Sequence, residues 1–89
     1  MKVKFIVNPI SGTGKQKGIE DIIKDNLKNI FEIVYTKKSG DATLLCQAAI
    51  KENIDVVIAV GGDGTVNECA KALINTNTAL GVIPCGSGN

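Results

Sequence analysis

Apolar positions along this chain follow two different rhythms. Short β-branched or continuous apolar runs stand at Val3–Val7, Phe31–Tyr35, Val56–Val60 and Ala79–Ile83. Runs of this length and composition predict strands, and the unbroken run at 56–60 predicts one buried on both faces. Between them the spacing changes to that of a helix. Ile19, Ile22, Ile23, Leu27 and Ile30 predict a helix over about 18–29,. Leu44, Leu45, Ala48 and Ala49 predict a second, with Asp41 as its cap,. Val66, Cys69, Ala70 and Leu73 predict a third, with Thr65 as N-cap and Thr65-x-x-Glu68 as a capping box,. The order is βαβαβαβ, which predicts an α/β fold: a parallel Rossmann-like sheet in a three-layer α/β/α arrangement.

The polar segments between these elements are not evenly distributed in kind. Asn8–Gly14, Thr36–Gly40, Gly61–Thr65 and Gly86–Asn89 each follow a predicted strand. In a doubly wound sheet such loops converge on the carboxyl edge, where ligands bind. The junction Gly61-Gly62-Asp63-Gly64 is the most informative of them. A strand that stops at glycines and turns straight into a helix offers free backbone N–H groups and a positive helix end, which suit a phosphate. Asp63 stands in the middle, available to a metal ion or a reacting hydroxyl, or simply favourable to the helix N-terminus. Two familiar phosphate motifs are excluded. Ser11-Gly12-Thr13-Gly14-Lys15 lacks the earlier Gly and the later Ser or Thr of a P-loop, because positions 9 and 16 are Pro and Gln,. Gly12 and Gly14 have Lys17, and Gly62 and Gly64 have Asn67, where a dinucleotide fingerprint needs its third Gly,.

Composition narrows the class further. A chain of 89 residues with 44% hydrophobic and 21% charged content fits one small globular unit,. Net charge is +1, all ten basic residues are Lys, and there is no Trp and one Tyr. Without guanidinium forks or stacking platforms, nucleic acid is not expected as a partner. Cys46, Cys69 and Cys85 lack metal-ligand spacing, so no protein metal ligands are assigned and the first two are expected to be small core residues,. With no apolar run of membrane-spanning length and no signal-like N-terminus, a reduced, cytoplasmic setting is expected,.

Four blocks in order, Asn8-Pro9-Ile10-Ser11-Gly12, Thr36, Gly61-Gly62-Asp63-Gly64-Thr65-Val66-Asn67-Glu68 and Gly86-Ser87-Gly88-Asn89, together resemble the diacylglycerol kinase catalytic domain, the family of bacterial lipid kinases and sphingosine kinases. The Gly-Gly-Asp-Gly-Thr block is shared with NAD kinases; its pairing with Asn-Pro-x-Ser-Gly points to the lipid kinases.

The resemblance implies transfer of the ATP γ-phosphoryl group to a lipid hydroxyl, with ATP and Mg²⁺ as cofactors. It implies nucleotide contacts at Asn8, Ser11, Gly12, Thr36, Gly61, Gly62, Asp63, Gly64, Thr65, Val66, Asn67 and Ser87, with Asp63 as the acid/base residue, as in some family members, or, as in bacterial lipid kinases, with a Glu of the C-terminal domain taking the hydroxyl proton. It further implies that residues 1–89 are the N-terminal, ATP-binding part of such a domain, without the family's β-sandwich half and its lipid pocket. On that expectation the isolated chain turns over no lipid, and the whole protein touches membrane surfaces transiently. A four-stranded sheet with an unfinished edge is also expected to allow self-association. Two other readings stay open from the residues: a NAD kinase-like phosphotransferase, and a truncated, non-catalytic nucleotide-binding domain.

Overall fold

A computed structural model of the protein describes residues 1–9 and 31–84. Within them lie four strands, β1 (Val3–Val7), β2 (Phe31–Tyr35), β3 (Val56–Gly61) and β4 (Ala79–Pro84), and two helices, α1 (Asp41–Lys51) and α2 (Asp63–Leu73). The strands pair in parallel in the order β2-β1-β3-β4. This is the α/β fold that the sequence pattern predicts, with the strand limits extended by one residue at Gly61 and Pro84. The helix expected over 18–29 lies outside the described residues.

Alternation along the strands sorts side chains onto two faces. Ile6, Val57 and Ala59 point to the face covered by α1 and α2, where they meet Ala42, Cys46, Ala49, Cys69 and Leu73. Val3, Phe5, Val7 and Val60 form the core of the opposite face. There Phe5 meets Phe31 edge-on, with ring centroids 6.1 Å apart and planes at 85°, a favoured aromatic geometry.

The face that α1 buries keeps Leu45 and Ala49 of the predicted one but not Leu44 and Ala48. Leu44 is 62% exposed and Ala48 is also exposed, whereas Ala42, Cys46 and Ala49 are buried. These three follow i, i+4, i+7 spacing, and the helix seats its smallest side chains on the sheet. Cys46 and Cys69 are free thiols buried between the two helices. Contact with Cys69, together with burial, pushes the Cys46 thiol well above the usual range, so it stays protonated,. Both are the small core residues expected; Cys85 lies outside the described residues.

Two capping assignments are also corrected. The N-cap of α2 is Gly62, with Asp63 as the first helical residue, so Thr65 lies inside the first turn and caps nothing. The N-cap of α1 is Gly40, in the left-handed region at φ 92°, and Asp41 is the first helical residue. Both helices accept Gly at this position because the four first N–H groups of a helix need no intrahelical partner.

At the amino edge of the sheet, polar backbone groups are closed locally. Asn53, at φ 60°, takes the left-handed position after α1. Asn53 N donates to Ile50 O (3.1 Å) and Ile54 N to Ala49 O (3.1 Å), which together make a Schellman closure with Ile54 buried beneath it,. After α2, Thr76 N and Oγ1 both donate to Leu73 O, at 3.1 and 2.6 Å. Lys4, buried in β1, donates to Glu52 Oε1 (2.6 Å) and lies 3.3 Å from Glu32 Oε1. Burial alone would lower its pKa, but the two carboxylates outweigh it and hold the ammonium above its ordinary value,.

Candidate functional site

The strand order places a topological switch at β1 and β3, since the chain leaves β1 toward one side for β2 and returns across it for β3. Crevices form at the carboxyl ends of strands at such a point. Here the exits are held level by backbone bonds that extend the sheet one residue further. Asn8 N donates to Val60 O and Thr36 N to Val7 O, each at 2.9 Å.

Above that level the side chain of Asn8 crosses the gap. Its Nδ2 donates to Thr65 Oγ1 of α2 at 3.0 Å. Gly61 lies under this bridge. A Cβ on Gly61 would stand 3.0 Å from Thr65 Oγ1, 3.1 Å from Thr65 Cβ and 3.2 Å from Asn8 Cβ. A side chain at Gly61 would therefore crowd Thr65 and Asn8, which would have to give by a few tenths of an ångström.

Gly62 and Gly64 are different. Among the described residues, a Cβ on either would meet nothing within 4 Å. Neither has positive φ; among the described residues only Gly40 does so for glycine. No protein contact and no backbone conformation in the described residues calls for glycine at these two places. Gly64 does not favour the helix either, since Gly is a poorer helix former than Ala, by about 0.8–1 kcal/mol in a helix interior and by less in the first turn. Both border open space beside the start of α2. The first intrahelical bond of α2 is Val66 N to Gly62 O at 3.1 Å, and no side chain caps the N-terminus. The amides of Asp63, Gly64 and Thr65 thus have no acceptor within the helix.

An open groove of about 530 Å³ starts at Asn8 and Thr36 on the strand exits. It passes Lys37 and Lys38 and reaches Gly64, Thr65 and Glu68 on α2. The 36–40 loop that forms one wall is tied at several points. Asp41 Oδ2 accepts from Lys37 N (2.8 Å) and Lys38 N (3.1 Å), and Asp41 N donates to Lys38 O (3.1 Å). Gly40 N donates to Glu68 Oε2 at 3.1 Å. So Glu68, expected to reach back to the start of its own helix, instead holds a different loop.

Of the residues predicted for the site, Asn8, Thr36, Gly64 and Thr65 come together in the groove wall. Gly61 and Gly62 form the junction beside it, and Asp63 is exposed in the first turn of α2. Val66 packs toward the core and its N–H is used within the helix, while Asn67 is exposed on α2 and does not line the groove. Ser11, Gly12 and Ser87 lie outside the described residues. Sequence reasoning missed Lys37, Lys38 and Glu68. The lysines sit in a loop already placed at a strand end, so only their side chains went unread. Among the described residues no group of three or more His, Cys, Asp or Glu side chains could hold a metal ion. No helix among them is long and apolar enough to cross a membrane.

Comparison with known proteins agrees with this geometry. The chain is 40% identical over 93 aligned positions to a diacylglycerol kinase of Staphylococcus aureus, an alignment covering 99% of this chain and 30% of that protein. It is similar in structure to a candidate diacylglycerol kinase from Bacillus anthracis, with TM-score 0.81, 37% identity, and coverage of 97% of this chain and 32% of that one. The chain thus spans about a third of the length of these relatives. A phosphate-loop protein studied in solution shares the fold at TM-score 0.69 and 20% identity, covering 100% of this chain and 81% of that one. The diacylglycerol kinase catalytic domain matches over residues 2–89, a span that takes in both the Asn8–Gly12 block and the Gly61–Glu68 block. With its open glycine junction at the β1/β3 switch, the chain belongs to the diacylglycerol kinase catalytic domain family.

Proposed function

We propose that the groove binds the phosphates of ATP, and that the chain is the nucleotide-binding part of a lipid kinase that transfers the γ-phosphoryl group to a lipid hydroxyl. The observation that carries this reading is the pair Gly62 and Gly64. They leave the N-terminus of α2 bare where no contact among the described residues calls for bareness. A polyanion approaching the amides of Asp63, Gly64 and Thr65 gives that bareness a function. The lysines at 37 and 38 add positive charge along the same wall.

In the transfer, the hydroxyl oxygen of the lipid bonds to the γ-phosphorus as the bond to the β,γ-bridging oxygen breaks, and ADP leaves. Such a step needs mostly positioning and neutralisation of charge. The α2 amides hold phosphate oxygens in place, and the Asn8–Thr65 bridge fixes their distance from the β1 exit. Asp63 orients the acceptor hydroxyl and takes its proton. Its single exposed carboxylate also suits Mg²⁺, which commonly binds one or two carboxylates together with substrate phosphates and would supply charge neutralisation there. The lipid itself is assigned to a second, β-rich domain of the kind the family resemblance implies. Replacing Asp63 by Asn in the whole protein is expected to cut lipid phosphorylation by at least about a hundredfold while sparing nucleotide binding. Full kinase activity in that variant would remove Asp63 from the reaction.

A further inference from the structure

Thr65 and Glu68 are three residues apart on α2 and so share a face of the helix,. Each is engaged by a partner from a different strand exit. Thr65 Oγ1 accepts from Asn8 Nδ2 after β1 (3.0 Å), and Glu68 Oε2 accepts from Gly40 N after β2 (3.1 Å). Both also line the groove. Asp41, next to Gly40, gathers the middle of the 36–40 loop through Lys37 N and Lys38 N, so the loop is tied to its own end.

We propose that Thr65 and Glu68 are positioning residues that clamp the β1 exit at Asn8 and the 36–40 loop to one helix, with Glu68 acting as a hydrogen-bond acceptor for the 36–40 loop and not as a charge. The proposal rests on the reading of the groove as a nucleotide site. The spacing resembles a capping box because the same chemistry is used, a hydroxyl and a carboxylate one turn apart accepting hydrogen bonds. The acceptors are spent on the walls of the groove, and the amides of the helix start stay free for a ligand. One helix then fixes both the free amides and the two loops that face them. A loop released from Glu68 would carry Thr36, Lys37 and Lys38 out of register with those amides.

The test compares Glu68→Ala with Glu68→Gln in the 89-residue chain. Two readouts are taken: amide hydrogen exchange at Gly40, Lys37 and Lys38 without ligand, and affinity for ADP. Gln keeps a carbonyl acceptor and loses the charge. Loss of the bond in Glu68→Ala should speed Gly40 exchange by about tenfold and weaken ADP by about fivefold, with Glu68→Gln within about twofold of wild type on both. Thr65→Ser should likewise preserve, and Thr65→Val weaken, ADP binding, which keeps the clamp testable if Glu68→Ala unfolds. Unchanged Gly40 exchange in Glu68→Ala overturns the clamp, and so does a Gln variant as impaired as the Ala variant. Should wild type fail to bind ADP, the nucleotide reading falls, and the exchange comparison alone decides the clamp.

Discussion

The two edges of the sheet are finished in opposite ways. At the amino edge both helices end in closed hydrogen-bond arrangements, Asn53 and Ile54 on Ala49 and Ile50 after α1, Thr76 on Leu73 after α2. Thr78 Oγ1 adds a bond to Ile54 O at 2.9 Å, and Lys2 N reaches Asp55 Oδ2 at 2.7 Å. At the carboxyl edge α2 begins on Gly62 with no side-chain cap, next to a groove. The same chain therefore closes both helix ends at the amino edge and begins both helices on a glycine without a side-chain cap at the carboxyl edge. The difference separates residues kept for stability from residues kept for a ligand, and it makes Gly61 and Gly64, only three positions apart, behave as opposites.

The largest effect is expected at Gly61. Gly61→Val places carbon within 3.0–3.2 Å of Thr65 and Asn8 and should cost about 2–3 kcal/mol, as overpacking in a filled site does. Urea denaturation would read it, and an unchanged midpoint would mean that the bridge moves aside freely. At the opposite edge, Asn53→Val forces a β-branched residue to φ 60°. It should cost about 1–2 kcal/mol by the same measurement and leave ADP affinity unaltered. A loss of affinity there would erase the division between the edges.

The smallest effect is expected at Lys4, a stability residue far from the groove. Its side chain is 4% exposed against 60% and 53% for Glu32 and Glu52. Removing it leaves two hydrated carboxylates, so Lys4→Met should change stability by less than about 1 kcal/mol near neutral pH. The pH dependence has a definite sign. Because the folded value of Lys4 is raised, its contribution is present below the unfolded lysine value of about 10.4 and is lost as pH climbs through the folded value. Thermal melts of wild type should lose this part of their stability at alkaline pH, and those of Lys4→Met should not.

Much of the fold was legible in the sequence because each strand is a short apolar run and alternation with helices implies parallel pairing, while the order β2-β1-β3-β4 has no local signal. What escaped was which surface of an element does the work. The predicted stripe on α1 runs through Leu44, yet Ala42 and Cys46 face the sheet beside the predicted Ala49. The start of α2 was set at Thr65 because a hydroxyl followed by a carboxylate three residues on is a strong local cap pattern, and Gly62 carries no side-chain signal. At the site, Gly61–Thr65 was readable as an anion junction from local order alone. The Asn8–Thr65 and Gly40–Glu68 bonds join positions 57 and 28 residues apart, and no local pattern encodes such partners. That Gly61 answers to packing while Gly62 and Gly64 do not is likewise a property of the folded surroundings.

The most direct measurement is the ADP affinity of Gly64→Ala against wild type, by titration of the purified chain. A methyl group at Gly64 meets no atom of the described residues within 4 Å, and Ala in the first turn should hold the melting temperature level or raise it. If the bare helix start is the phosphate site, that stable variant binds ADP at least about tenfold more weakly, a loss near 1.4 kcal/mol. ADP affinity equal to wild type in Gly64→Ala would contradict it.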